Sequence, residues 1–93
     1  MKIEFKESFY RTFDKYSIDT QEKISSKIER LIKSIERNQI SKGIGMKLLR
    51  SKSCLWEARV SDDIRIIFRY KSDLLEFGIV GNHNEIKRYL KNF

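Results

Sequence analysis

MKLLRSKSCLWEARVSDDIRIIFRYKSDLLEFGIVGNH, residues 46–83, decides how this chain folds. Four short apolar-rich runs are separated by polar turns, and cations recur along the runs. From Leu55 to Val60, Trp56, Ala58 and Val60 alternate with Leu55, Glu57 and Arg59. From Ile64 to Tyr70, Ile64, Ile66, Phe68 and Tyr70 alternate with Arg65, Ile67 and Arg69. A period of two places each set on its own face of a strand. Met46 to Arg50 reads as the strand before this pair. Leu74 to Val80 reads as the strand after it, apolar enough to lie inside a sheet. Ser61-Asp62-Asp63 and Lys71-Ser72-Asp73 supply turn residues. Strands joined by turns this short pair as an antiparallel meander.

Working outward, MKIEF predicts a short first strand with Ile3 and Phe5 on one face. Glu7 to Tyr16 predicts a helix whose Phe9, Phe13 and Tyr16 share a side. Asp19 suits an N-cap with Glu22 as its reciprocal partner. The pattern then stays helical from Thr20 to about Asn38. Ile24, Ile28, Leu31, Ile32 and Ile35 form its apolar stripe, and charged residues including Lys27 mostly cover the other side. Gln39 to Gly45 is a loop; its Gly43-Ile44-Gly45 lacks the further spacing of a phosphate-cradling loop. Asn84 to Lys91 closes the chain as a helix with Ile86 and Leu90 four apart. These elements predict one α+β domain over residues 1–93. Two helices pack on one face of a curved antiparallel sheet, and the other face stays partly open.

With 40% apolar residues, 93 residues suffice for one modest core without staples. One cysteine, Cys54, forms no internal disulfide, which fits a reducing compartment. The charged start MKIEFKESFY contains no long apolar run, so neither a signal peptide nor a membrane span is expected, and the expected location is cytoplasmic. The formal net charge is +7. Residues 43–72 carry seven cations, Lys47, Arg50, Lys52, Arg59, Arg65, Arg69 and Lys71, against Glu57, Asp62 and Asp63. That field suits a polyanion or an acidic protein; the plainer alternative is the solvated surface of a basic protein.

If the second and third strands of the block pair through residues 61–63, Arg59 and Arg65 project from the face opposite Trp56 and Ile66. Guanidinium groups suit phosphate oxygens, and burying two of them is costly. His83, after Gly81-Asn82, falls near the end of that face and can transfer a proton near neutral pH. This inventory fits metal-free RNA cleavage: a 2′-hydroxyl attacks its own phosphate, cations stabilise the phosphorane, and an acid protonates the leaving 5′-oxygen. No cofactor or metal is expected, since one histidine and one cysteine are too few for a zinc site and carboxylates do not cluster. Structural alternatives stand beside each reading. Arg65 can pair with Asp62 or Glu57, His83 can sit at a helix start, and Tyr89 can pack with Ile86 and Leu90.

The run LWEARVSDDIRIIFRY, with the following strand and GNHNEIKRYL, resembles the C-terminal half of RelE/ParE-superfamily toxins. The helical hairpin and first strand complete a β-α-α-β-β-β-α layout, so the resemblance covers nearly the whole chain. It implies a type II toxin of the RelE, YoeB and YafQ-like branch, an endoribonuclease cutting mRNA on the ribosome and so inhibiting translation. Alternatives on the same scaffold are a ParE-like DNA gyrase inhibitor and a catalytically inactive relative that only binds RNA or antitoxin. The resemblance implies that Arg65 contacts the scissile phosphate, that Arg59 is its basic neighbour and His83 a catalytic histidine, and that Tyr89 stacks on a base. Lys47, Arg50 and Lys52 resemble residues that grip RNA, and Arg69 and Lys87 extend that set. Met46 stands where YoeB-like members carry a glutamate base, leaving that role open between Glu57 and His83. An acidic antitoxin in a hetero-oligomer is implied as partner, beside ribosome and mRNA.

Overall fold

The computed structural model describes residues 1–38 and 45–93. The chain runs β1 (Lys2–Phe5), α1 (Glu7–Phe13), α2 (Ile18–Glu36), β2 (Met46–Arg50), β3 (Leu55–Arg59), β4 (Arg65–Lys71), β5 (Leu74–Gly81) and α3 (His83–Lys91). The loop expected over 39–45, with its Gly43, lies outside the described residues except for Gly45. Among the described residues, no helix is long and apolar enough to cross a membrane.

The meander forms as its turns demand: β2, β3, β4 and β5 pair antiparallel in succession. One feature differs from the expected all-antiparallel sheet. β1 adds parallel to β5, Ile3 opposite Leu75 and Phe5 opposite Phe77, giving the order β1-β5-β4-β3-β2. The sheet is therefore mixed, with five strands, one more than the resemblance layout counts. A helical crossover between β1 and the sheet permits this, because parallel neighbours need a long connection and α1 and α2 lie in it.

The alternation seen in the sequence sorts two cores. Ala58, Ile66, Phe68 and Phe77 face Phe9, Ile24, Ile28, Leu31 and Ile35 of α1 and α2. Leu55, Ile67 and Ile79 face the other way and meet Ile86 of α3, with Leu49, Tyr89 and Leu90 around them. The second face is thus partly roofed by the closing helix. Trp56 is half-buried against the main core.

Local boundaries moved where capping overrode periodicity. α1 stops at Phe13, and Tyr16 packs on the core from beyond it. The cap of α2 is Ser17, whose hydroxyl accepts from the Thr20 backbone N–H at 3.3 Å; Asp19 lies inside the first turn. Lys27, expected on the solvated side, is buried at 9% exposure. Position 27 is three after Ile24 and four before Leu31, inside the stripe, so its aliphatic stem joins the core. Burial, then Arg30, lowers its pKa from the ordinary value. α3 begins one residue early, at His83, because Asn82 caps it. The Asn82 side chain accepts from Glu85 N–H at 2.9 Å, and the Glu85 carboxylate accepts from Asn82 N–H at 3.0 Å.

Candidate active site

Arg59 and Arg65 are direct cross-strand partners at the ends of β3 and β4. Both belong to the face that carries Leu55 and Ile67. Arg65 does not stand alone: its Nη1 donates to Glu57 Oε1 at 3.3 Å, with the Glu57 side chain 14% exposed. Arg59 is exposed and has no ion pair among the described residues. The next register step explains how His83 arrives. Arg65 pairs across β4–β5 with Gly81, so the chain leaving β5 turns into α3 beside the start of β4. Gly81 is needed at this junction, since a Cβ there would lie 2.9 Å from Glu85 Oε1 and 3.0 Å from Glu85 Cβ, crowding the cap.

The result is an open cleft of about 500 Å³ lined by Asp62, Asp63, Arg65, Asn82, His83 and Asn84. The β3–β4 turn supplies the two carboxylates, β4 the guanidinium, and the α3 start the imidazole. His83 is exposed, with no hydrogen bond to its imidazole among the described residues. From sequence, Asp62 and Asp63 were read as turn formers, and Asp62 also as an alternative ion-pair partner of Arg65, but neither as part of a site. Their signal was two consecutive carboxylates two residues before Arg65. Among the described residues no group of His, Cys, Asp and Glu is arranged to hold a metal ion.

The other sequence candidates fall elsewhere. Tyr89 is half-buried, its hydroxyl against Gly78 and its ring 5.9 Å from that of Phe93. Burial and the nearby Glu76 raise its pKa, while Arg69 opposes them. It does not line the Arg65–His83 cleft. Arg69 pairs with Glu76 at 3.7 Å. Arg50 donates to Leu90 O at 3.1 Å and lies 6.0 Å from the centroid of the Phe93 ring, so it fastens α3 to the sheet. Lys47, Lys52 and Lys87 are exposed. Met46 sits opposite Ala58 and packs against the main core, which directs that position away from the cleft face.

A family model for YoeB-like toxins of bacterial type II toxin-antitoxin systems matches residues 5–84. The chain belongs to this family. The matched span takes in every strand but the first residues of β1, and it ends at the cleft, so most of α3 lies beyond it. The fold of this YoeB-like toxin is similar to that of the YoeB dimer from Staphylococcus aureus, at 25% identity and TM-score 0.68, covering 89% of this chain and 97% of that one. It is also similar to YafQ from E. coli, at 19% identity and TM-score 0.66, covering 91% and 96%. RelE in the RelB-RelE antitoxin-toxin complex from Methanococcus jannaschii gives 16% identity and TM-score 0.69, covering 91% and 95%. With the family match, the shared fold places it in the RelE/ParE superfamily. No curated protein sequence matches it significantly.

Proposed function

We propose that this YoeB-like toxin cleaves messenger RNA in a ribosome-dependent reaction and thereby blocks translation in the cytoplasm. The observation that carries the reading is the shared cleft, where Arg65 and His83 meet over one exposed surface. A ribose 2′-hydroxyl attacks the adjacent phosphorus, and the 2′,3′-cyclic phosphate forms as the bond to the 5′-oxygen breaks. Arg65 and Arg59 stabilise the extra charge on the phosphorane. His83 gives its proton to the departing 5′-oxygen. Glu57 is engaged with Arg65 and serves to aim the guanidinium. The 2′-hydroxyl proton goes to a carboxylate of the cleft, Asp62 or Asp63. Lys47, Lys52 and Lys87 are exposed cations suited to backbone phosphates. So few acid–base groups on an open surface favour a substrate held in place by the ribosome, because orientation alone supplies a large share of the rate.

Its restraint is an antitoxin. Staphylococcus aureus YoeB forms a heterotetrameric complex with YefM, and RelE is held by RelB, which supports a hetero-oligomer here. The +7 charge favours an acidic toxin-binding segment on that partner and a salt-sensitive encounter.

The test is a purified translation system with primer extension along the message. Codon-associated cuts are expected with the native chain. Arg65→Ala or His83→Ala should slow them by about 10²–10⁴-fold. DNA supercoiling by gyrase should be unaffected. Absence of cuts at every toxin concentration, or gyrase arrest in their place, overturns the reading.

A further inference from the structure

A second concavity, of about 420 Å³, runs between α1 and α3 and shares no residue with the Arg65–His83 cleft. Its walls carry four cations, Lys6, Arg11, Lys15 and Arg88, against one carboxylate, Glu85. That carboxylate is already committed: it accepts from the Asn82 backbone N–H in the α3 cap. Arg88 and Lys15 have no ion pair among the described residues, and the Lys6–Glu76 and Arg11–Glu7 pairs are long, at 3.9 and 3.5 Å. The groove therefore carries a net positive charge around a lining that mixes Ser8, Thr12 and Asn92 with apolar side chains. Ile79, Tyr89 and Phe93 line it as well.

We infer that the groove between α1 and α3 docks an acidic peptide segment that alternates carboxylates with apolar side chains. Two features select a peptide over an RNA strand. RNA is gripped through exposed aromatic faces on which bases stack. Here the Tyr89 ring is half-buried with its hydroxyl turned to Gly78, and the Phe93 ring, although 45% exposed, is already engaged by the Tyr89 ring at 5.9 Å and by the Arg50 guanidinium 6.0 Å from its centroid. A floor with Ile79, Tyr89 and Phe93 in its lining wants apolar side chains, which a phosphodiester chain does not bring along its charge. A peptide delivers both, its apolar residues to the floor and its carboxylates to Arg11, Lys15 and Arg88. The assignment of the peptide to the antitoxin rests on the function proposed above; the chemistry of the groove does not.

The test uses the intact chain and three probes: a short peptide alternating glutamate and leucine, a polyglutamate of equal length, and a single-stranded RNA of similar charge. Amide shifts in nuclear magnetic resonance titrations should concentrate at Ser8, Thr12, Arg88 and Asn92 with the mixed peptide. Polyglutamate should bind more weakly. Lys15→Glu with Arg88→Glu should weaken the mixed peptide by about tenfold or more, with an unchanged unfolding temperature as the control for folding. If the double variant unfolds, Lys15→Gln alone, which changes only an exposed turn, should still weaken binding. The inference is overturned if RNA fills the groove more tightly than the peptide, if the peptide shifts map to the Arg65–His83 cleft, or if no peptide binds. Ribosomal cleavage by Lys15→Glu is read in parallel. A chain that takes the peptide but never cuts mRNA sinks the nuclease reading and leaves the groove standing; the reverse sinks only the groove.

Discussion

Arg59 and Arg65 stand directly across from one another, and like charges in that relation repel by a few tenths to about 1 kcal/mol. Glu57 relieves Arg65 alone. A fold selected only for stability has no use for this arrangement, which supports the phosphate-binding role proposed for the pair. Arg59→Ala is expected to leave stability unchanged or raise it by about 0.5 kcal/mol while lowering RNA cleavage. Urea unfolding and the cleavage assay on the same preparation check the two halves. Glu57→Gln separates aiming from proton transfer. If Glu57 only holds the guanidinium, an amide oxygen keeps the hydrogen bond and cleavage falls by less than tenfold, well short of the loss expected when a proton-transfer group is removed. A larger loss would return Glu57 to the role of base.

At the scale of elements, helix ends are set by single side chains that close an orphan N–H. Ser17→Ala should cost about 1 kcal/mol, whereas Asp19→Ala, which removes only a favourable charge in the first turn, should cost about half of that or less. Thermal unfolding of the two variants decides which residue is the cap. The sequence could not rank them by itself, because serine and aspartate are equally good caps and lie two residues apart. Strand faces were far more legible. Alternation in LWEARV and IRIIFRY assigned Ala58, Ile66 and Phe68 to one core and Arg59 and Arg65 to the other face, since only one register buries the apolar set. What alternation cannot show is a partner far along the chain. Hence the parallel docking of β1 on β5 was missed, and Lys27 was misjudged from its charge although its spacing put it in the stripe. For the cleft, Arg65 and His83 were legible as neighbours through the strand end. Asp62 and Asp63 were hidden by their ordinary role in turns, and the sequence held no sign that Tyr89 would face Gly78.

For the molecule as a whole, stability in alkali follows from two half-buried phenols and one buried ammonium. Tyr16 has its pKa raised above 10.0 by burial and then by Glu85, and Tyr89 is raised by burial and Glu76. A raised value means the folded chain holds these protons more tightly than the unfolded one. Their contribution is therefore complete below pH 10.0 and is lost as pH climbs through the raised values. Lys27 acts in the opposite sense: its pKa is lowered from 10.5, so its penalty is full at neutral pH and fades as pH rises towards 10.5. Unfolding temperature should thus hold or rise slightly on approach to pH 10 and then fall. Tyr16→Phe and Tyr89→Phe should flatten the fall, and ultraviolet titration of the phenolates should show two groups ionising late. The pairing of β1 with β5 has its own consequence. Residues 2–5 emerge first during synthesis, yet among the described residues their sheet partner is residues 74–77. The nascent chain cannot close its sheet, or bring Arg65 beside Gly81, until β5 has left the exit tunnel. Under the function proposed above, a translating ribosome is thereby spared from the chain it is still making.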